Sequence, residues 1–333
     1  MAAIISGAAF GAALVASGMY QPSVILGQFD FTNFQMLQTF LTAAASSTLV
    51  VNTLSATGYT DPAPRSPSRL GIFSYDGNII GGALLGTGMA VSGSCPGTVL
   101  AQVGVGLPSG LYSLQGAIVG GVLWSGFLKR WLMSRSTTDA KSTTADTAPA
   151  KLTVQEQSGV SKATVFIGLE SFFVLAILAI QTQAPRNASV ISPIVGGLLI
   201  GLAQFVSLVL RKSMLGVSTS FEEAGNYFWW VAGGASPKKE PSSYGSIVFS
   251  AGAVLGAWVL ATVIPSLAAG ASRTSVQPLA AVAGGLLISL GARIAGGCTS
   301  GHGISGVSLF STSSFITVVA MFSAAIFTSA ATN

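Results

Sequence analysis

The side chains in this sequence with the most chemistry to offer are its two thiols, Cys95 and Cys298. Each stands among small residues: Ser-Gly-Ser-Cys-Pro-Gly-Thr over 92–98 and Gly-Gly-Cys-Thr-Ser-Gly-His over 296–302. Both settings suit a short helix starting just past the thiol, around Pro96–Thr98 and Ser300–Gly303. Such a start points unpaired N–H groups and a positive dipole end at whatever lies before it, which favours an anion. Pro96 fits a first helical position, Thr98, Thr299 and Ser300 add hydroxyl donors without fixed charge, and Gly97 and Gly301 let backbone approach a ligand closely. His302, the single imidazole, has two roles open to it: donor to an anion or thiol activator, or a packed neutral ring held by a carbonyl. Arg293, five residues before Cys298, can attract an anion, pair with Glu170, or snorkel to a membrane face. The plain alternative is that the glycines pack helices and the cysteines are small core residues.

Other chemistries fail on the same residues. One histidine and two separated cysteines make no metal centre, and no cofactor is implied. The glycine runs follow no strand and contain no phosphate-cradling Lys, and no strand–turn–helix elbow surrounds the serines of CTSGHGIS. The basic residues gather into no nucleic-acid face. Nothing therefore points to an enzyme.

The elements that must position these thiols are membrane helices. Only 8% of the 333 residues are charged, against roughly 25% in soluble proteins, while 50% are hydrophobic and 41 are glycine. Much of the surface must face lipid, and the small residues permit close helix contact. Nine stretches of about the required 20 residues can be marked, near 3–19, 34–55, 77–93, 111–132, 163–182, 190–210, 244–265, 277–295 and 312–330. A polar, Ser/Thr-rich segment over 134–161 reads as a flexible linker. It separates a first transmembrane half, 1–133, from a connecting helix and outer loop, 162–189, and a second half, 190–333.

The halves repeat one another. Gly81, Gly88, Gly93 and Cys95 match Gly284, Gly291, Gly296 and Cys298 at a constant offset of 203, and Ile25-Leu26-Gly27 is echoed by Met214-Leu215-Gly216. Five crossings would separate the two cysteine motifs, so the halves should be inverted, with the segment after each cysteine dipping into the membrane from an opposite face. With a cytoplasmic N-terminus, twelve Lys and Arg fall on the inner side and only Arg186 and Arg273 on the outer. The one sequon, Asn187-Ala188-Ser189, is then also outside. The expected fold is all-α and polytopic, with about nine spans in two inverted halves and half-helices at the centre. The N-terminus and linker would be cytoplasmic and the C-terminus outside.

These motifs carry a resemblance. GARIAGGCTSGHGISGVS at 291–308 resembles the signature of the YeeE/YedE sulfur-transport family, and SGSCPGTVLAQVG at 92–104 and RKSMLGVSTSFE at 211–222 resemble further family segments. The resemblance implies an hourglass-like bundle of nine helices whose thiols relay thiosulfate by transient hydrogen bonds, with no covalent chemistry required. The plasma membrane is the expected location. It also marks a departure. Where family transporters carry a further cysteine after the first helix, this chain reads QPSVILGQF from Gln21 to Phe29, with Leu26 at the cysteine position. Thiosulfate or a related sulfur anion is the expected partner, beside the bilayer. Two alternatives stay open: a sulfurtransferase component carrying a persulfide on Cys298 for a cytosolic sulfur acceptor, and a non-transporting scaffold.

Overall fold

The computed structural model describes residues 1–132, 151–183, 190–236, 240–269 and 276–332. In chain order the helices are α1 (Ala2–Ala16), α2 (Pro22–Phe29), α3 (Gln35–Ala56), α4 (Asp76–Ser92), α5 (Pro96–Val105), α6 (Pro108–Leu123), α7 (Val154–Ser158), α8 (Lys162–Gln183), α9 (Pro193–Arg211), α10 (Thr219–Ala232), α11 (Gly245–Val263), α12 (Pro265–Ala268), α13 (Pro278–Ala295) and α14 (Thr312–Thr332). A π-helical turn, Trp124–Leu128, continues α6, and a second, Ser300–Gly306, lies between α13 and α14.

Among the described residues, seven helical stretches are long and apolar enough to cross a bilayer: 76–105, 108–132, 162–182, 193–211, 245–263, 278–295 and 312–332. Two of the nine expected spans fall short of that standard for different reasons. Helix α1 is apolar but only 15 residues long. Helix α3 has 22 residues but is rich in Gln, Thr and Ser, and it turns Gln38, Thr39, Thr42, Ser47 and Thr48 into the protein.

Local chemistry sets the breaks. Gly93 and Gly296 end α4 and α13 in the left-handed region, φ +59° and +81°, where a side chain would be strained. Pro22, Pro96 and Pro108 then stand at helix starts, where a missing N–H costs nothing.

Backbone proximity sets the packing. Helices α4 and α13 cross antiparallel through glycine. A Cβ on Gly81 would come within 2.7 Å of the Gly291 carbonyl oxygen and one on Gly291 within 2.7 Å of the Gly81 oxygen, while Gly88 and Gly284 show the same reciprocity at 2.8 Å. Small residues likewise seat α1 on α11, α3 on α9, α4 on α14 and α6 on α13. Between helices in lipid this closeness matters, since van der Waals contact replaces the hydrophobic drive. Helix α8 stands apart, packing on α3 and burying Phe173 while Ile167, Leu175 and Leu178 stay exposed.

Residues 134–150 of the expected linker, the sequon and Arg186 and Arg273 lie outside the described residues. The end of that linker is ordered. Thr153 and Glu156 form a capping box on α7, the Val154 N–H donates to the Phe310 carbonyl and the Thr312 N–H to the Leu152 carbonyl. The Thr-x-x-Glu signal was present in the sequence; composition outweighed it.

Candidate functional site

Cys95 is the N-cap of α5. Its sulfur accepts from the Thr98 N–H and the Thr98 hydroxyl, each at 3.4 Å, while its own N–H donates to Thr98 Oγ1 at 2.7 Å. A buried amide fixes the preceding break: Gln102 Nε2 donates to the Gly93 carbonyl at 3.0 Å, and Ser94 Oγ donates to Gln102 Oε1 at 3.0 Å. Helix α2 abuts the same turn, since a Cβ on Gly93 would lie 2.8 Å from Pro22 Cβ. Gln21, the N-cap of α2, is half-buried and its side-chain amide makes no hydrogen bond among the described residues. Pro96, Gly97 and Thr98 are buried in the first turn of α5, with Gly97 against the Phe10 ring. Leu26 lies in α2, half-buried.

Cys298 stands at the second break, buried, with its sulfur 3.3 Å from the Ser300 hydroxyl. The N–H groups of Val217, Ser218 and Gly301 face it. Val217 and Ser218 belong to the turn between α9 and α10, which buried Gln204 holds: its Oε1 accepts from the Leu215 N–H and from Ser305 Oγ, both at 3.2 Å. Thr299 donates at 3.4 Å to the thioethers of Met89 on α4 and Met321 on α14. Cys95, Met89, Met321 and Cys298 lie in one buried core, together with Met19 and Met36.

The ionisable neighbours are engaged within the protein. Both ring nitrogens of His302 are occupied: Nε2 lies 3.1 Å from the Ala295 carbonyl and Nδ1 2.9 Å from Ser314 Oγ. A carbonyl can only accept, so Nε2 carries the proton and no N–H is left for an anion. Arg293 pairs with Glu222 of α10, which also accepts from Lys129 Nζ at 2.7 Å. Pairing with Glu170 is therefore corrected. Glu170, on α8, has a buried Oε1 with no hydrogen-bond partner. Among the described residues no cluster of His, Cys, Asp and Glu could hold a metal ion.

Residues 16–327 match the family described as sulphur transport. The chain is a member of the sulphur transport family. It is 32% identical over 127 residues to a "probable transporter" of Xylella fastidiosa strain 9a5c, covering 37% of this chain and 81% of that relative. A second "probable transporter", from X. fastidiosa strain Temecula1, is 34% identical over 128 residues, again 37% and 81% of the two chains. A "thiosulfate transporter TsuA" of Spirochaeta thermophila is 26% identical over 253 residues, 72% of each chain. This sulphur-transport protein is an integral membrane protein, as its apolar helices and its family together require.

Sequence reasoning missed several residues at the site of this family member. Gln102 and Gln204 gave no signal beyond being amides in apolar helices. Met89 and Met321 carry no signal in the sequence beyond apolar bulk. Arg65 read only as one positive charge among twelve, yet its guanidinium reaches the Cys298 turn: Nη1 donates to the Gly296 carbonyl at 2.9 Å. Burial lowers the Arg65 pKa from its usual value, and charge on Cys298 opposes that shift; arginine stays cationic regardless.

Proposed function

We propose that the protein moves thiosulfate, or a related small sulfur-containing anion, between Cys95 and Cys298 by transient hydrogen bonds. The antiparallel glycine crossing of α4 and α13 carries this reading. Gly81 and Gly88 contact the repeat equivalents of each other, Gly291 and Gly284, with matched distances. That reciprocity supports two inverted halves related by a pseudo-twofold axis passing between the thiol turns. The half-length X. fastidiosa relatives support it too, since a transporter of that family can be encoded by a unit about as long as one half.

In this arrangement Cys95 is approached from outside and Cys298 from the cytoplasm. Soft sulfur atoms suit the terminal sulfur of thiosulfate, and weak contacts suit a site that must also release. Pro96, Gly97 and Thr98 present the α5 N-terminus to the anion, with Gln21 as the free amide beside it. Thr299, Ser300 and Gly301 do the same at the inner thiol, while His302 and the Arg293–Glu222–Lys129 network hold the scaffold. Entry of a dianion into a negative cytoplasm is opposed by about 2.3 kcal/mol per charge per 100 mV. Accumulation therefore needs a coupled cation or rapid intracellular consumption.

Uptake of labelled thiosulfate into proteoliposomes tests the reading, with intact protein compared with Cys95→Ala and Cys298→Ala and sulfate as competitor. Flux lost in both variants and little affected by sulfate is expected. Wild-type flux no greater than in empty liposomes would remove thiosulfate, and a persulfide on Cys298 during turnover would replace relay by sulfur transfer.

A further inference from the structure

Arg65 lies in the connection between α3 and α4, and four tethers hold that connection against the Cys298 end of the bundle. The Asp76 carboxylate accepts from the N–H groups of Leu70, Ile72, Phe73 and Gly77, folding the end of the connection back on α4. Asn78 Oδ1 accepts from the Ser68 N–H. The Arg65 N–H donates to Ser311 Oγ at 2.9 Å, and its carbonyl accepts from Ser313 Oγ at 2.9 Å. The backbone of Arg65 is thus fixed from both sides, and its side chain runs inward past Gly306.

The guanidinium arrives beside the thiol with donors to spare. A Cβ on Gly301 would lie 3.0 Å from Arg65 Nη2 and 3.7 Å from Cys298 Sγ, so both groups border one small space that glycine leaves open. Gly297 is equally tight, its Cβ position falling 2.9 Å from Arg65 Nη1. Only Nη1 is engaged, by the Gly296 carbonyl. Nη2 and Nε have no acceptor among the described residues, and none of these nitrogens is sealed from solvent.

Three other basic groups have partners. Arg293 and Lys129 share Glu222, and Arg211 lies over the Phe249 ring, 4.6 Å from its centroid, with Glu223 also acting on it. Arg65 has no carboxylate partner among the described residues. A cation so held, half-buried, unpaired and with free N–H groups, is incomplete without an anion.

We propose that Arg65 is the charged contact for the transported anion at the Cys298 end, its free guanidinium edge taking oxygen atoms while the thiol meets the sulfur. This rests on the transport reading and adds to it the source of anion selectivity. The ligand class is a small oxyanion with an exposed sulfur. Sulfate can satisfy the guanidinium but offers the thiol only oxygen, so the pair prefers thiosulfate.

Equilibrium binding of labelled thiosulfate to the purified full-length protein, with sulfate as competitor, tests this beside proteoliposome flux. Arg65→Gln should weaken thiosulfate binding about ten- to a hundredfold, the range expected for a lost charge-assisted hydrogen bond. Arg65→Lys, which keeps the charge and loses the fork, should fall between. Gly301→Ala, which fills the shared space and leaves both groups in place, should also weaken binding. A merely structural Arg65 would lower the yield of folded protein and leave the affinity of the folded fraction unchanged; that result overturns the inference. Should Arg65→Gln fail to fold, unchanged affinity in both Arg65→Lys and Gly301→Ala overturns it as well. Wild-type flux that persists unaltered in Arg65→Gln defeats the role of Arg65 and spares the transport reading. Arg65-dependent binding without wild-type flux does the reverse.

Discussion

At the scale of single residues, the site is a set of weak sulfur contacts held by strong amide ones. Cys95 and Cys298 each sit at a break that a buried glutamine pins, Gln102 at one and Gln204 at the other. Fixing the backbone leaves the thiols free to exchange partners. Leu26 removes one such partner, because it cannot donate where the family resemblance places a thiol. Leu26→Cys should lower the KM for thiosulfate uptake severalfold with little change in maximal rate, as read from initial rates in proteoliposomes; an unchanged KM would show that α2 does not meet the anion. His302 fits the second of the two roles open to it, a packed neutral ring held by a carbonyl. An imidazole four residues past a thiol suggests proton chemistry, but Ala295 and Ser314 take both of its nitrogens.

At the scale of helices, closeness is bought with glycine, and the cost of adding atoms is calculable. Gly88→Ala would put a Cβ 2.7 Å from the Ile288 nitrogen, and Gly284→Ala one 2.5 Å from Ser92 Cβ. Each should destabilise by about 1–3 kcal/mol, the usual range for overpacking. The two losses should be similar and the double variant less than additive, since one separation of α4 and α13 relieves both. Thermal unfolding in detergent reads all three. The Arg293–Glu222–Lys129 network joins α13, α10 and the turn after α6. Glu222→Gln leaves Arg293 and Lys129 facing each other without a carboxylate. A loss of about 2–4 kcal/mol is expected, less than for a fully buried pair because Lys129 is 43% exposed and keeps contact with water. The same thermal assay checks it, and a shift no larger than a surface control would make the network ornamental.

At the scale of the whole molecule, the number of crossings turns on two helices near the start of the chain, α1 and α3. Seven helical stretches qualify by length and apolarity, whereas nine crossings require α1 with α2, and the polar α3, to span as well. Both counts put the N-terminus and the linker on one side. They differ at the turn between α2 and α3, where Phe31 is exposed. Phe31→Cys, on a background with Cys95 and Cys298 replaced by Ser, should react with a membrane-impermeant thiol reagent from the side opposite the linker. Reaction from the linker side would reduce the count to seven, with α1 and α3 no longer spanning and α4 and α13 still antiparallel.

Composition alone determined that this is a helical membrane protein, because charge this sparse cannot solvate a surface and lipid accepts few alternatives to helices. The glycine and cysteine repeat marked where the breaks fall, since Gly and Pro act on the chain within a few residues of themselves. The pairing of ionisable groups was not legible. Arg293 meets Glu222 rather than Glu170, and Arg65 reaches Cys298 across more than two hundred residues, because such partners are chosen by how helices dock. Sequence spacing carries information along one helix or one turn; only the tertiary structure decides which side chains share a space between them.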